Sequence, residues 1–178
     1  MTRIIAGTYG GRRLVVPKGD HTRPTADRAR EGLFSSLQSL MELDGARVLD
    51  LYAGSGALGL EALSRGAAHA TLVDNDPRAL SALHKNVDAL GAEAVGVAMD
   101  VSAFLSGTPQ PYDLVLLDPP YELEVEPVLV SVVAWLAEGA VVVVERRTRS
   151  GAPACPAGLV SERSRRYGEA TLWYFSRS

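Results

Sequence analysis

The sequence predicts an α/β domain built on a doubly wound, mostly parallel sheet. Three observations carry that expectation. Short apolar runs alternate with segments whose apolar residues recur at helical spacing. Four of the runs carry or lead into an aspartate at their carboxyl ends, namely Asp50, Asp74, Asp100 and Asp118. Ligands bind at such strand ends in open α/β sheets. The first of these runs is followed at once by a glycine-rich turn, Gly54-Ser-Gly-Ala-Leu-Gly59, that opens a helix.

Taken in order, Arg3 to Val16 reads as a hairpin, with Ile4–Ala6 and Leu14–Val16 as strands and Gly7, Gly10 and Gly11 marking the turn. Pro17 to Pro24 is a loop. Thr25 is placed to cap a helix running through Met41, with Asp27 in its first turn and Leu33, Phe34, Leu37 and Leu40 on its apolar face. Val48–Leu51 is a buried strand, and the helix after the glycines stops at Gly66. Ala70–Val73 is the next strand. Asp76 can cap, and Pro77 can start, a helix that ends at Gly91. Val95–Met99 and Leu114–Leu117 are the third and fourth strands. Pro127 opens a helix with Leu129, Val132, Val133 and Leu136 on one face, and Val141–Val144 is a fifth strand. Gly151–Gly158 reads as a loop of small residues, and Glu169–Phe175 closes the chain as a strand.

At 178 residues and 47% apolar content the chain suits one domain with a sizeable core. No run is long enough to span a bilayer, and no targeting segment is evident, so a cytoplasmic protein is expected. The single cysteine, Cys155, excludes an internal disulfide. His21, His69 and His84 are scattered, so no metal site is expected. The net charge of −3 hides an asymmetry. Residues 1–30 carry +5, residues 31–145 carry −13 and residues 146–178 carry +5. Basic ends around an acidic body suggest a nucleic-acid surface built from Arg3, Arg12, Arg13, Lys18, Arg23, Arg28, Arg30, Arg146, Arg147, Arg165 and Arg166.

Two motifs carry the chemistry. In Asp118-Pro-Pro-Tyr121, two prolines without N–H groups end the strand. The result is a stiff turn with a carboxylate, outward carbonyls and an aromatic ring. Asp118 and the Pro119 carbonyl can accept the two hydrogens of an exocyclic amine, and Tyr121 can stack on the base. The glycine motif lets a ligand approach the backbone, and Asp74 can accept from ribose hydroxyls. That pattern by itself fits a nicotinamide cofactor or S-adenosylmethionine (SAM). Asp50 beside a ligand ammonium, Asp100 at an adenine amine, and the lack of a second domain favour SAM.

Asp50-Leu-Tyr-Ala-Gly-Ser-Gly-Ala-Leu-Gly59, Val73-Asp-Asn-Asp76 and Asp118-Pro-Pro-Tyr121 resemble class I SAM-dependent methyltransferases acting on exocyclic amines. Arg3-Ile-Ile-Ala-Gly7, Gly10-Gly-Arg-Arg-Leu14 and Thr22-Arg-Pro-Thr-Ala-Asp-Arg-Ala-Arg-Glu31 with Phe34 are more particular. Together they resemble the bacterial 16S rRNA guanine-N2 methyltransferase D family over nearly the whole chain. The resemblance implies a seven-stranded Rossmann-like sheet over residues 25–178, with residues 1–24 as a hairpin-and-loop extension. It implies methyl transfer from SAM to N2 of a guanine in 16S rRNA, guanine 966 in that family. The substrate would be rRNA, within a small subunit at some stage of assembly, and the enzyme a monomer. Asp118, Pro119, Pro120 and Tyr121 would be catalytic. Asp50, Tyr52, Ala53, Gly54, Ser55, Gly56, Asp74, Asn75, Asp100, Val101 and Asp118 would hold SAM. The target base would have to be unstacked or flipped out. An N6-adenine DNA or RNA methyltransferase, a nicotinamide oxidoreductase and a non-catalytic RNA-binding protein remain as other readings.

Overall fold

A computed structural model describes residues 2–19 and 24–178. The N-terminal hairpin pairs β1 (Thr2–Arg3) with β2 (Arg13–Leu14), in antiparallel register with Thr2 opposite Leu14. The main sheet has seven strands: β3 (Arg47–Leu51), β4 (His69–Asp74), β5 (Ala94–Ala98), β6 (Tyr112–Leu117), β7 (Leu136–Arg147), β8 (Leu159–Tyr167) and β9 (Ala170–Arg177). Their order is β5-β4-β3-β6-β7-β9-β8. The first five in that order run parallel, and β9 runs antiparallel between β7 and β8. The helices are α1 (Pro24–Leu37), α2 (Ala57–Ser64), α3 (Pro77–Leu90), α4 (Val101–Leu105) and α5 (Glu126–Val132). Among the described residues no helix is long and apolar enough to cross a membrane.

The central parallel strands β3, β4 and β6 and the Ala140–Val144 stretch of β7 are buried on both faces, and the side-chain alternation splits the core in two. Leu114 and Leu116 of β6, with Val141 and Val143 of β7, pack against Leu33, Phe34 and Leu37 of α1 and Leu60 of α2. Val115, Leu117, Val142 and Val144 face the other way, against Leu129 and Val132 of α5 and Trp135. The strand order reverses between β3, which leads outward to β4 and β5, and β6, which leads to β7. A crevice at the carboxyl ends of β3 and β6 follows from that switch.

Several expected boundaries move. Both hairpin strands are shorter and lie nearer the N-terminus than Ile4–Ala6 and Leu14–Val16, at Thr2–Arg3 and Arg13–Leu14. Side chains capture the intervening backbone: Ile5 and Ala6 N–H donate to Glu61, and Val15 N–H donates to Asn86 Oδ1. Helix α1 starts at Pro24, so Thr25 is already helical rather than the cap, because proline's fixed φ suits the first turn. It ends at Leu37, where Leu40 and Met41 N–H both close onto the Leu37 carbonyl. The helix at Pro127 gives way to a 3₁₀ turn at Val133–Trp135, so Leu136 begins a strand. Consecutive β-branched Val132 and Val133 disfavour further helix there. Helix α4 and strand β8 were not expected. The former is capped by Asp100, whose Oδ2 accepts from Ser102 N–H. The latter is a polar edge strand, Leu-Val-Ser-Glu-Arg-Ser-Arg-Arg-Tyr, with little apolar alternation to reveal it.

Candidate active site

The glycine loop joins β3 to α2 and is shaped by left-handed backbone. Gly54 and Gly56 adopt φ 59° and 86°, and Tyr52 does so at φ 62° without being glycine. Such an outlier at a strand end marks a backbone held for a purpose. The loop is tied from below: Ala53 N–H donates to the Val73 carbonyl (3.0 Å) and Gly54 N–H to Asp74 Oδ2 (2.8 Å). Asp74 Oδ1 accepts from Asp76 N–H (2.9 Å) at the start of α3, so one oxygen fixes the glycine loop and the other the turn after β4, each keeping a further lone pair. Space around Gly54 is open where a side chain would project, whereas a Cβ on Gly59 would meet Leu72 Cδ2 at 2.3 Å. The first glycine therefore exposes backbone to a ligand, and the third lets α2 pack on the sheet.

Asp50 is buried on β3. Its Oδ2 accepts from Gly59 N–H (2.9 Å), while Oδ1 is buried with no partner among the described residues. Burial pushes its carboxyl up to about 7; the Gly59 bond works against that, and Asp74 nearby adds to it. Tyr52 and Asp100 come together across the ends of β3 and β5. Burial and then the Asp100 charge push the Tyr52 hydroxyl up to about 12. Asn75 and Asp100 are exposed at the crevice rim. Val101 is buried, and its side chain belongs to the core beneath them.

Asp118 follows β6 directly. The residue is exposed and stands at the mouth of the crevice. Loss of hydration, then the Glu145 carboxyl within hydrogen-bonding reach, then Asp50, push it well above the usual carboxylate range. Beside it lies a cavity of about 230 Å³ between the sheet and α1. Asp118, Glu145, Arg30, Asp27, Ser55, Leu116 and Val143 are among its lining residues. Pro119 is buried and Pro120 exposed. Tyr121 is 52% exposed, and the Arg147 guanidinium lies 4.1 Å from its ring centroid. One ring face is therefore backed by a cation.

The expected RNA-facing cations divide. Arg3, Arg12, Arg13, Lys18, Arg28, Arg165 and Arg166 are exposed. Tyr167 at the end of β8 packs against Gly32 of α1, whereas the Arg12 guanidinium donates to the Ala89 carbonyl of α3 (2.9 Å). Arg146 is half-buried and 3.5 Å from Glu126. Arg147 backs Tyr121. Arg30 is a correction: it is 7% exposed and committed to the Arg3 carbonyl, Asp27 and Glu61. Its charge is needed because Glu61 is fully buried, holding the hairpin through Ile5 and Ala6 N–H and pairing with Arg65 at 2.9 Å. Arg23 lies outside the described residues.

Three residues were not singled out from sequence. Glu61 and Asn86 are polar residues inside helical segments, buried only because the hairpin folds onto them. Asn86 Nδ2 donates to both the Val15 and Ser55 carbonyls, at 2.9 Å each. Glu145 follows Val141–Val144 as though merely ending a strand. The register, in which Leu117 pairs with Val144, is what sets it beside Asp118.

The sequence profile of the family described as Conserved hypothetical protein 95 matches residues 2–176. "Ribosomal RNA small subunit methyltransferase D" of Escherichia coli K12 is 40% identical over 179 residues, covering 98% of this chain and 89% of the relative. The protein of the same name from Haemophilus influenzae is 35% identical, covering 80% of this chain and 77% of the relative. The solved structure of Escherichia coli yhhF superposes with a TM-score of 0.89 at 37% identity, covering 99% of this chain and 97% of that one. With its whole length matched by one profile and by close relatives, this chain belongs to the Conserved hypothetical protein 95 family, the family of the ribosomal RNA small subunit methyltransferases D.

Proposed function

We propose that this protein transfers a methyl group from SAM to the N2 amine of a guanine in small-subunit rRNA. The relatives named above are rRNA methyltransferases, which supports the reaction class. The observation that carries the reading is the placement of Asp118-Pro-Pro-Tyr121 beside the glycine loop, at the switch in strand order.

The residues fit SAM. The unpartnered Asp50 Oδ1 suits an ammonium, the open approach at Gly54 suits close backbone contact, and Asp74 and Asp100 suit ribose and adenine donors. When bound, SAM supplies an electrophilic methyl group with a good leaving group. The protein's task is then to orient the acceptor. Asp118 and the Pro119 carbonyl accept the amine hydrogens, which turns the nitrogen lone pair out of the ring plane and stabilises the positive charge that grows on it. Tyr121, backed by Arg147, offers a face on which a flipped base can stack, worth roughly 1–3 kcal/mol.

The test is transfer of labelled methyl to rRNA from cells lacking this gene, with the product mapped and its modified base identified. N2-methylguanine in small-subunit rRNA is the expected product. N6-methyladenine, or labelling only of DNA, would overturn the assignment.

A further inference from the structure

Glu145 is a carboxyl in the wrong place for stability alone. It follows the stretch of β7 whose Leu117–Val144 pairing sets it level with Asp118 on β6, and both line the same cavity. They project to the side occupied by Leu116 and Val143, toward α1. The two carboxyls are close neighbours, and Glu145 disfavours the ionised form of Asp118. No cation forms an ion pair with Glu145 among the described residues. Arg146 next to it turns to Glu126, and Arg147 to Tyr121. Among the described residues, the other charged groups around the cavity are Asp27 and Arg30 of α1, with Asp50 deeper on β3, and Arg30 is held by Glu61 and Asp27. A glutamine would fill the same space without the repulsion. An uncompensated carboxyl pair facing a cavity is a device for binding donors.

Resting on the function proposed above, we infer that Glu145 is a specificity-determining residue that accepts the N1–H of the target guanine while Asp118 accepts from its N2 amine. Guanine presents N1–H and N2–H side by side, so two adjacent carboxyls match two adjacent donors. Adenine presents an acceptor at N1, which would face a carboxylate lone pair to lone pair. The cavity of about 230 Å³ is small beside drug-sized pockets of about 300–1,000 Å³, in keeping with one base rather than a larger ligand. Base choice would thus be made by a residue of β7, outside the Asp118–Tyr121 motif.

The test compares guanine with 2-aminopurine at the target position of an rRNA substrate that the wild type methylates. Both bases carry the 2-amine, but N1 of 2-aminopurine is an acceptor. Binding is read by 2-aminopurine fluorescence and by competition, and turnover by methyl incorporation, at one fixed pH. The wild type should bind the guanine substrate more tightly. Glu145→Gln offers an amide N–H to N1 and should shift the guanine-to-2-aminopurine ratio toward 2-aminopurine by roughly 5- to 150-fold. Because both proteins meet the same change at position 6 of the base, the shift isolates position 145. Glu145→Asp keeps the charge and should keep the guanine preference at reduced affinity. A wild type that binds both bases equally, or a Glu145→Gln protein that weakens both in proportion, overturns the inference. If the wild type methylates no guanine N2 at all, it is the underlying functional reading that fails.

Discussion

At Asp50 the two carboxylate oxygens have different fates, one bound to Gly59 N–H and one unpartnered. Its carboxyl, raised to about 7 from 3.8, stays protonated in the folded chain while the unfolded chain ionises. The unfolded state therefore binds fewer protons, so this group's stabilisation is greatest at low pH and is lost as pH rises from about 4 to about 7. The loss is at most of order 4 kcal/mol. Asp50→Asn should remove it, so the variant gains stability relative to the native protein at pH 8 more than at pH 5, as read from denaturant midpoints. A ligand ammonium beside Oδ1 favours the ionised form, so SAM binding near pH 6 should release a proton. Calorimetry in two buffers of different ionisation enthalpy measures this, and Asp50→Asn should abolish the difference. At Asp118 the expectation is catalytic. Asp118→Ala should lower methyl transfer by roughly 100-fold or more, in single-turnover assays at saturating SAM. The acidic limb of the native rate profile should lie above the ordinary carboxylate range, because Asp118 titrates high.

Gly59 and Gly54 act differently within one loop-and-helix element. A methyl on Gly59 would strike Leu72 and crowd Asp50, so Gly59→Ala should cost about 1–3 kcal/mol. That corresponds to a fall of roughly 2–10 °C in Tm for a chain of this size. Gly54→Ala meets no atoms but must hold φ 59°, at a cost of about 1–2 kcal/mol, and it should weaken SAM binding more than it weakens the fold. The glycine spacing, Asp76-Pro77 and the buried runs before Asp74 and Asp118 were legible in the sequence because each rests on local rules: φ, capping and apolar continuity. Strand β8 was not, since an exposed edge strand needs no apolar alternation. Arg30 looked like a surface cation because charge was legible and burial was not. Glu145 and Asn86 acquire their roles only when register and packing set them against residues far away in sequence.

For the molecule as a whole, the two ends of the chain are basic, while the acidic segment supplies most of the sheet. Phosphate contacts place nucleic acid without reading it, and each steepens the salt dependence. Replacing exposed Arg12 and Arg13 together with glutamine should weaken rRNA binding and flatten its salt dependence by up to about two units of slope, with SAM affinity unchanged. Filter binding across a salt series measures both. Equal slopes would remove the hairpin from the RNA surface.

Asn86 gives that surface a further property. One buried amide holds Val15, leading away from the hairpin, and Ser55, inside the glycine loop. The segment proposed to grip RNA and the loop proposed to grip SAM are riveted to one another, so neither can be ordered without restraining the other. Thermodynamic reciprocity then applies: whatever factor SAM lends to rRNA affinity, rRNA must lend to SAM. Asn86→Ala cuts the rivet, and in that variant the two affinities should become independent.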